Sequence, residues 1–362
     1  MTSRPDRVAV LGTGLMGASI AMAASRVGCT VTGWDADVDV AARAGERAGF
    51  EPAVSLEAAV EGADIVVICT PIASVVELAL RALQAAPDAV VTDTASIKSP
   101  IAGAELGPLD APRFVPGHPM GGSERSGPEH ATPSLVDDIV WVLTPTVASD
   151  PAQVDRLAGW IGRIGARVVR MTAERHDRLV AFISHLPQVV STALMALVAT
   201  EESGEPEILL LAAGGFRDLT RLAASDPALW SEILRANADQ ITAALDLYVG
   251  RLTALREEIA NGDDEAVERT FAFAKSARLK LAAKPNVRAG VAVLQVPVPD
   301  RPGVLANLTA ALGVGEVNIE DLQIVHSLEG GRGTVHLTVA GADADPAAEI
   351  LRRAGFDPIR LA

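Results

Sequence analysis

Gly12, Gly14 and Gly17 stand in G-x-G-x-x-G spacing in "GTGLMG", between the β-rich run "RVAVLG" and the helical run "ASIAMAASRVG". The next strand-like run, "CTVTGWD", ends on Asp35. Strand, glycine turn, helix, strand, acid is an order that binds a dinucleotide. Gly12 permits the tight turn, Gly14 lets the backbone approach a pyrophosphate, and Gly17 lets helix and strand pack closely. Leu15 and Met16 open the helix, whose free N–H groups face the anion. Asp35 is placed to accept hydrogen bonds from the adenosine ribose and to repel a 2′-phosphate, which predicts NAD rather than NADP.

A second candidate is His118, in "FVPGHPMGGSERSG". It is one of only six histidines and sits between a glycine and a proline, where no helix continues. The segment predicts an apolar strand that ends abruptly and hands His118 to a loop. "ADIVVICTP" predicts a buried strand ending at Thr70 and Pro71, and "AVVTDTAS" one ending at Asp93, Thr94 and Ser96, with Lys98 just beyond. Strands alternating with helical stretches imply a mostly parallel, doubly wound α/β sheet, with ligands bound outside the strands' carboxyl ends. His118 is therefore expected to face the same crevice as a nicotinamide.

From Ala173 the pattern turns helical. Arg178 and His185 share a helix face, and Pro187 is expected to kink the helix just past His185. Arg217, Asp218 and Arg221 follow a Gly-Gly pair. These residues have plainer readings too. His185 could be a satisfied core histidine and Arg217 a partner of Asp218, while His130 and His176 are read as surface or structural. No metal-ligand spacing is present. An all-helical second domain also suits a dimer interface.

The 362-residue chain is 49% hydrophobic but only 3% aromatic, so small aliphatic side chains must fill its core. A net charge of −15 argues against nucleic acid as a partner. Cys29 and Cys69 lie in apolar runs, as expected of a reducing compartment. No secretory signal and no uninterrupted apolar run of spanning length is evident. The expectation is a soluble, cytoplasmic protein with no membrane partner.

After "AKPNVRAG", a linker by composition, strand- and helix-like runs follow in the order βαββαβ, a ferredoxin-like unit. The expected domains are 1–172, 173–284 and 290–362.

Taken together, "GTGLMG", "DTASIK", "GHPMGGSERSG", "WVLTP", "RHDRLVAFISHLPQ" and "AAGGFRDLTRLAASDPALW" resemble the prephenate and arogenate dehydrogenases of tyrosine biosynthesis. The resemblance implies a Rossmann domain, a helical dimerisation domain and a homodimer. It implies NAD-dependent oxidative decarboxylation of prephenate, with His118 as the base and Ser96 as its hydrogen-bonding partner. Arg217 is implied to bind a substrate carboxylate, with His185, Gln188 and Ser123 as further substrate contacts. Gln188 stands where the family often has a second histidine. "DRPGVLANLTAALG…VNIEDL" resembles the ACT domain, a regulatory module that binds amino acids. That implies an effector, expected to be tyrosine, at Asp300, Gly303, Val304, Leu305 and Asn318. The alternatives are arogenate as substrate, a β-hydroxyacid dehydrogenase or imine reductase, and a non-catalytic sensor of NAD and an amino acid. The imine reductase class needs a catalytic lysine or acid that "SHLPQ" lacks.

Overall fold

The computed structural model describes residues 6–121, 126–202, 204–205, 207–282, 291–326 and 332–361. The linker 283–290 and Ser123 lie outside the described residues. The chain forms two compact units, residues 1–190 with 222–246, and residues 191–221 with 247–362.

The first unit begins with β1 (Arg7–Leu11), α1 (Leu15–Arg26), β2 (Thr30–Trp34), α2 (Val38–Ala48), α3 (Leu56–Val60), β3 (Ile65–Ile68), α4 (Ile72–Ala85) and β4 (Val90–Asp93). The four strands pair in parallel in the order β2-β1-β3-β4. β1 and β3 are near-continuous aliphatic runs, and β4 is buried throughout, because helices cover both faces of the sheet. One core layer packs Val8, Val10, Ile20 and Val67, and the other packs Ala9, Leu11, Val66 and Ile68.

Next come α5 (Ser99–Ala102), β5 (Gly117–Pro119), β6 (Val140–Leu143), α6 (Pro151–Arg163) and β7 (Arg167–Arg170). β6 pairs with β7 in parallel, but β5 runs antiparallel to β6, in a separate three-stranded sheet. The expected loop placement of His118 is thus corrected: His118 lies within β5, opposite Val142. Pairing with β6 carries the strand through His118, and β5 ends on Pro119.

α7 (Ala173–Val180) follows, then a π-turn (Ala181–His185) and α8 (Leu186–Glu201). Pro187 has no N–H for the Ile183 carbonyl, and one widened turn sits at that place. The helical run Ala173–Glu201 is long and apolar enough, by length and composition, to cross a membrane. It nevertheless buries His176, Asp177, His185, Gln188 and Ser191. Those buried polar groups mark the part from His176 to Ser191 as packed against protein.

α9 (Gly214–Thr220), α10 (Pro227–Ala236), α11 (Ala238–Ala260) and α12 (Asp264–Ala282) complete the helical part. The unit division passes through α8 and α11.

The last segment is β8 (Val291–Pro299), α13 (Val304–Val314), β9 (Ile319–His326), β10 (Arg332–Ala340), α14 (Ala344–Arg353) and β11 (Ile359–Leu361). Its strands form an antiparallel sheet in the order β11-β8-β10-β9. Ala292, Leu294, Val296 and Val298 alternate inward along β8 onto Leu308, Leu312 and Leu351 of the two helices.

Candidate active site

The glycine turn fits a dinucleotide on three counts. A Cβ on Gly17 would lie 1.9 Å from the Gly12 carbonyl oxygen, so only glycine allows α1 to pack there. A Cβ on Gly14 would meet nothing within 4 Å, which leaves open space where a pyrophosphate must approach. Gly14 caps α1 with no side-chain hydrogen bond, and no acid occupies the first turn, so the helix N–H groups stay available to an anion. Asp35 Oδ2 accepts from the Thr13 N–H at 2.7 Å and Asp35 Oδ1 from the Asp37 N–H at 3.0 Å. A carboxylate has about four acceptor sites, so capacity for ribose hydroxyls remains. Leu15 and Met16 open α1, and Thr70 and Pro71 precede α4.

His118 is held through its backbone and its ring. The Gly117 N–H donates to Asp93 Oδ2 at 3.2 Å, and the Gly117 carbonyl accepts from Lys98 Nζ at 2.6 Å. Gly117 must be glycine, since a Cβ would stand 2.7 Å from Trp141 Nε1 and 3.0 Å from Thr92 Oγ1. His118 Nδ1 lies 2.9 Å from His176 Nε2, and His176 Nδ1 lies 2.7 Å from Asp177 Oδ1. Asp177 is tied in turn to the start of α5. Its Oδ1 accepts from the Lys98 N–H at 2.8 Å and its Oδ2 from the Ser99 N–H at 2.7 Å.

The tautomers follow from this chain. An ionised carboxylate only accepts, so His176 Nδ1 carries a proton. With both imidazoles neutral, His176 Nε2 accepts from the His118 Nδ1–H. His118 Nε2 is then left with its lone pair, the form a proton acceptor requires. Burial, then the positive Lys98, then His176 and His185, push the His118 pKa well below 6.5, against a smaller upward pull from Asp177. Burial works to raise the Asp177 pKa, but hydrogen bonds from His176, Ser99 and the Lys98 backbone outweigh it and hold the carboxyl below its usual range.

His185 is buried and stacks edge-on to Trp230, with ring centroids 5.9 Å apart. Its Nδ1 accepts from Asn237 Nδ2 at 3.2 Å, which leaves Nε2–H as a donor. Burial pushes its pKa down to about 4, so it is neutral at neutral pH.

The remaining expected residues are placed as follows. Ser96 is half-buried after β4. Among the described residues no hydrogen bond joins it to His118; the ring partner is His176. The surface reading of His176 is therefore corrected: it is 1% exposed and touches His118 directly. His130 is exposed. Gln188 Nε2 donates to the Leu222 carbonyl at 2.8 Å and its Oε1 accepts from Ser225 Oγ at 3.3 Å. With both ends of the amide bonded to protein, Gln188 ties α8 to the segment after α9. Arg217 is exposed on α9, in the second unit, and Arg221 follows one turn later at the end of that helix. Among the described residues no cluster of three or more metal-ligating groups is present.

A signal for His176 did exist. Ala173, His176, Asp177 and Val180 are the buried residues of α7, the i, i+3, i+4, i+7 stripe of a helix face.

Residues 20–170 match the family model described as "Prephenate dehydrogenase, nucleotide-binding domain", and residues 172–273 match "Prephenate dehydrogenase, dimerization domain". A prephenate dehydrogenase from Bacillus subtilis is 32% identical over 360 residues, covering 96% of each chain. The chain belongs to the prephenate dehydrogenase family. A cyclohexadienyl dehydrogenase from Zymomonas mobilis is 32% identical over 78% of this chain and 98% of its own. Among solved structures, prephenate dehydrogenase from A. aeolicus, in complex with hydroxyphenyl propionate and NAD+, matches with a TM-score of 0.72 and 28% identity. That match covers 78% of this chain and all 100% of the other. Arogenate dehydrogenase from Synechocystis matches with a TM-score of 0.68 and 31% identity, over 76% of this chain and 99% of that one. Membership in this family accounts for a glycine turn and a neutral, hydrogen-bonded histidine lying in one α/β unit.

Proposed function

We infer that this chain is an NAD-dependent prephenate dehydrogenase that forms 4-hydroxyphenylpyruvate, carbon dioxide and NADH. The observation that carries the reading is the Asp177–His176–His118 hydrogen-bond chain, which leaves His118 Nε2 free to take a proton. Bound NAD supplies the hydride acceptor. His118 takes the proton of the C4 hydroxyl as C4 gives up its hydride. The bond from the ring to its carboxylate then breaks, and the electron pair runs through the ring to the C4 oxygen. The phenolate so formed recovers its proton from His118. Ser96, in the turn after β4, is assigned to orient the hydroxyl, and His185 Nε2–H and Ser123 to contact substrate. Arg217 is assigned to a substrate carboxylate, for which a guanidinium fork is suited.

Arogenate is the second reading, because a solved arogenate dehydrogenase is 31% identical. The deciding experiment is initial NADH or NADPH formation with prephenate and with arogenate, each with NAD and NADP. Prephenate with NAD should be the fastest pair. Faster turnover of arogenate would move the substrate and keep His118 in its role. Activity confined to NADP would remove Asp35 from cofactor selection.

The active form is assigned as a homodimer in the cytoplasm. Ile183, Leu197, Leu247 and Phe271 are exposed on helices matched to the family's dimerisation domain, apolar surface that a second copy would cover.

The C-terminal unit is assigned as an ACT domain that senses tyrosine. Its βαββαβ order and antiparallel sheet support this. So does a cavity of about 70 Å³ lined by Asp300, Arg301, Val304, Leu305 and Ile324. Gly303, at φ +87°, heads α13 beside it, whereas Asn318 is outside the lining and donates to Glu320 Oε1 at 2.6 Å. The cavity has the liquid volume of only two or so waters, at about 30 Å³ each, so a whole tyrosine needs a second wall, as paired copies would provide. A chain ending at residue 284 should keep turnover and lose inhibition by tyrosine. Undiminished inhibition of that chain would take the sensing role away from the C-terminal unit.

A further inference from the structure

We propose that Lys98 is the positioning residue of the catalytic base: its buried ammonium grips Gly117, the residue before His118, while its backbone N–H grips Asp177, the residue that orients His176. One residue thereby fixes both ends of the proton-accepting chain. The inference rests on the reading of His118 as the base.

Lys98 and Asp93 are both 0% exposed and form an ion pair with each other. A lysine is almost never fully buried unless paired. A buried pair is a poor source of stability, since apolar side chains of the same volume often serve as well. Its charge has a use here that apolar groups could not supply. The Gly117 carbonyl needs a donor, and Lys98 Nζ provides one at 2.6 Å. The Gly117 N–H needs an acceptor, and Asp93 Oδ2 provides one at 3.2 Å. The peptide groups on either side of Gly117 are therefore held by the two members of a single ion pair. The Cβ space at Gly117 is closed by Trp141 and Thr92, so the backbone before His118 has little room to shift.

The same arrangement sets the electrostatics. The charged and titratable groups acting on His118 are Lys98 from the start of α5, His176 and Asp177 from α7, and His185 from the π-turn, with Asp93 at the end of β4 paired to Lys98. Lys98 is the largest of the charges that oppose an imidazolium at His118, and Asp177 works in the other direction. Burial pushes the Lys98 pKa down, and the neighbouring Asp93 works against that shift.

The test uses the full-length protein with NAD and prephenate, comparing pH–rate profiles of wild type, Lys98→Met and the double variant Asp93→Asn/Lys98→Met. NAD affinity and melting temperature are measured alongside. A slackened base should cost kcat about 10²-fold, the scale of a misplacement near 1 Å, with NAD affinity unchanged. Loss of the cation should also move the acid limb of kcat/KM to higher pH, toward the ordinary histidine value of about 6.5. A purely structural role would lower the melting temperature and leave the limb where it was; that result overturns the proposal. If Lys98→Met fails to fold, the double variant, which buries no lone carboxylate, decides in the same way. Failure of both to fold would assign the pair to stability alone and overturn the proposal as well. His118→Asn is run in parallel. If it stays active, the base reading fails. If it is inactive while the Lys98 variants keep the wild-type limb, only the positioning role fails.

Discussion

His118→Asn should lower kcat by about 10²–10⁴-fold, the usual contribution of a positioned general base, while NAD binds as before. Asparagine can still donate to His176, but it offers no nitrogen lone pair to a hydroxyl proton. The backbone at this position is held by Gly117 contacts and by pairing with β6, neither of which involves the ring. The glycine turn that fits NAD lies on another element, between β1 and α1. The loss should therefore be in turnover and not in cofactor affinity. Wild type should also hold its activity well into mildly acidic solution. A base works above its pKa, and burial, Lys98, His176 and His185 push that of His118 well below 6.5. The acid limb of kcat/KM should accordingly lie below that value. Steady-state NADH formation across pH, with NAD titrated separately, measures both. Near-normal turnover in the variant would remove His118 from the chemistry, and a wild-type limb near neutrality would contradict the electrostatics described above.

What could be read from the sequence was what depends on near neighbours. The glycine turn needs its three glycines and its flanking strand and helix within one short stretch, so the places of Gly12, Gly14, Gly17 and Asp35 in the fold were legible. Alternation along β8 was legible because period two is a local property. His118 stood out through its glycine and proline, yet its environment did not. Its ring partner lies on α7, far along the chain, and only folding sets His176 Nε2 at 2.9 Å. The stripe of Ala173, His176, Asp177 and Val180 could have shown that this histidine points inward, though not at what. Lys98 was visible only as a charge beyond a strand. Nothing local says that it turns inward to Asp93 and Gly117. The mismatch at β5 has the same origin, since three residues carry no period of their own and take their strand geometry from β6.

Asp177→Asn should lower kcat by about 10²–10³-fold without changing NAD affinity. In Ser-His-Asp sites the corresponding change costs about 10⁴-fold through the wrong histidine tautomer, and here the effect must pass through one more imidazole. The carboxylate accepts from three N–H groups: Lys98 at 2.8 Å, Ser99 at 2.7 Å and His176 Nδ1 at 2.7 Å. An amide replaces one accepting oxygen with an NH₂, which must face one of those donors. If it takes the Oδ2 place it faces the Ser99 N–H, two donors meet, and a buried N–H goes unsatisfied at about 1–3 kcal/mol. If it takes the Oδ1 place it meets the Lys98 N–H in the same way and also faces His176, whose imidazole must then accept at Nδ1 and carry its proton on Nε2. His118 Nδ1 then becomes the acceptor, and its proton moves to Nε2, the nitrogen that has to be empty. The wild-type carboxyl is held below its ordinary range, so its contribution to stability is complete above about 3.9 and fades only as pH falls through the lower folded value. Assays near neutrality therefore read the tautomer and not acid unfolding. Kinetics and melting curves on the same preparation separate the two costs. A stable variant with kcat within about 3-fold of wild type would be far short of the general-base scale and would show that Asp177 does not direct the proton on His118.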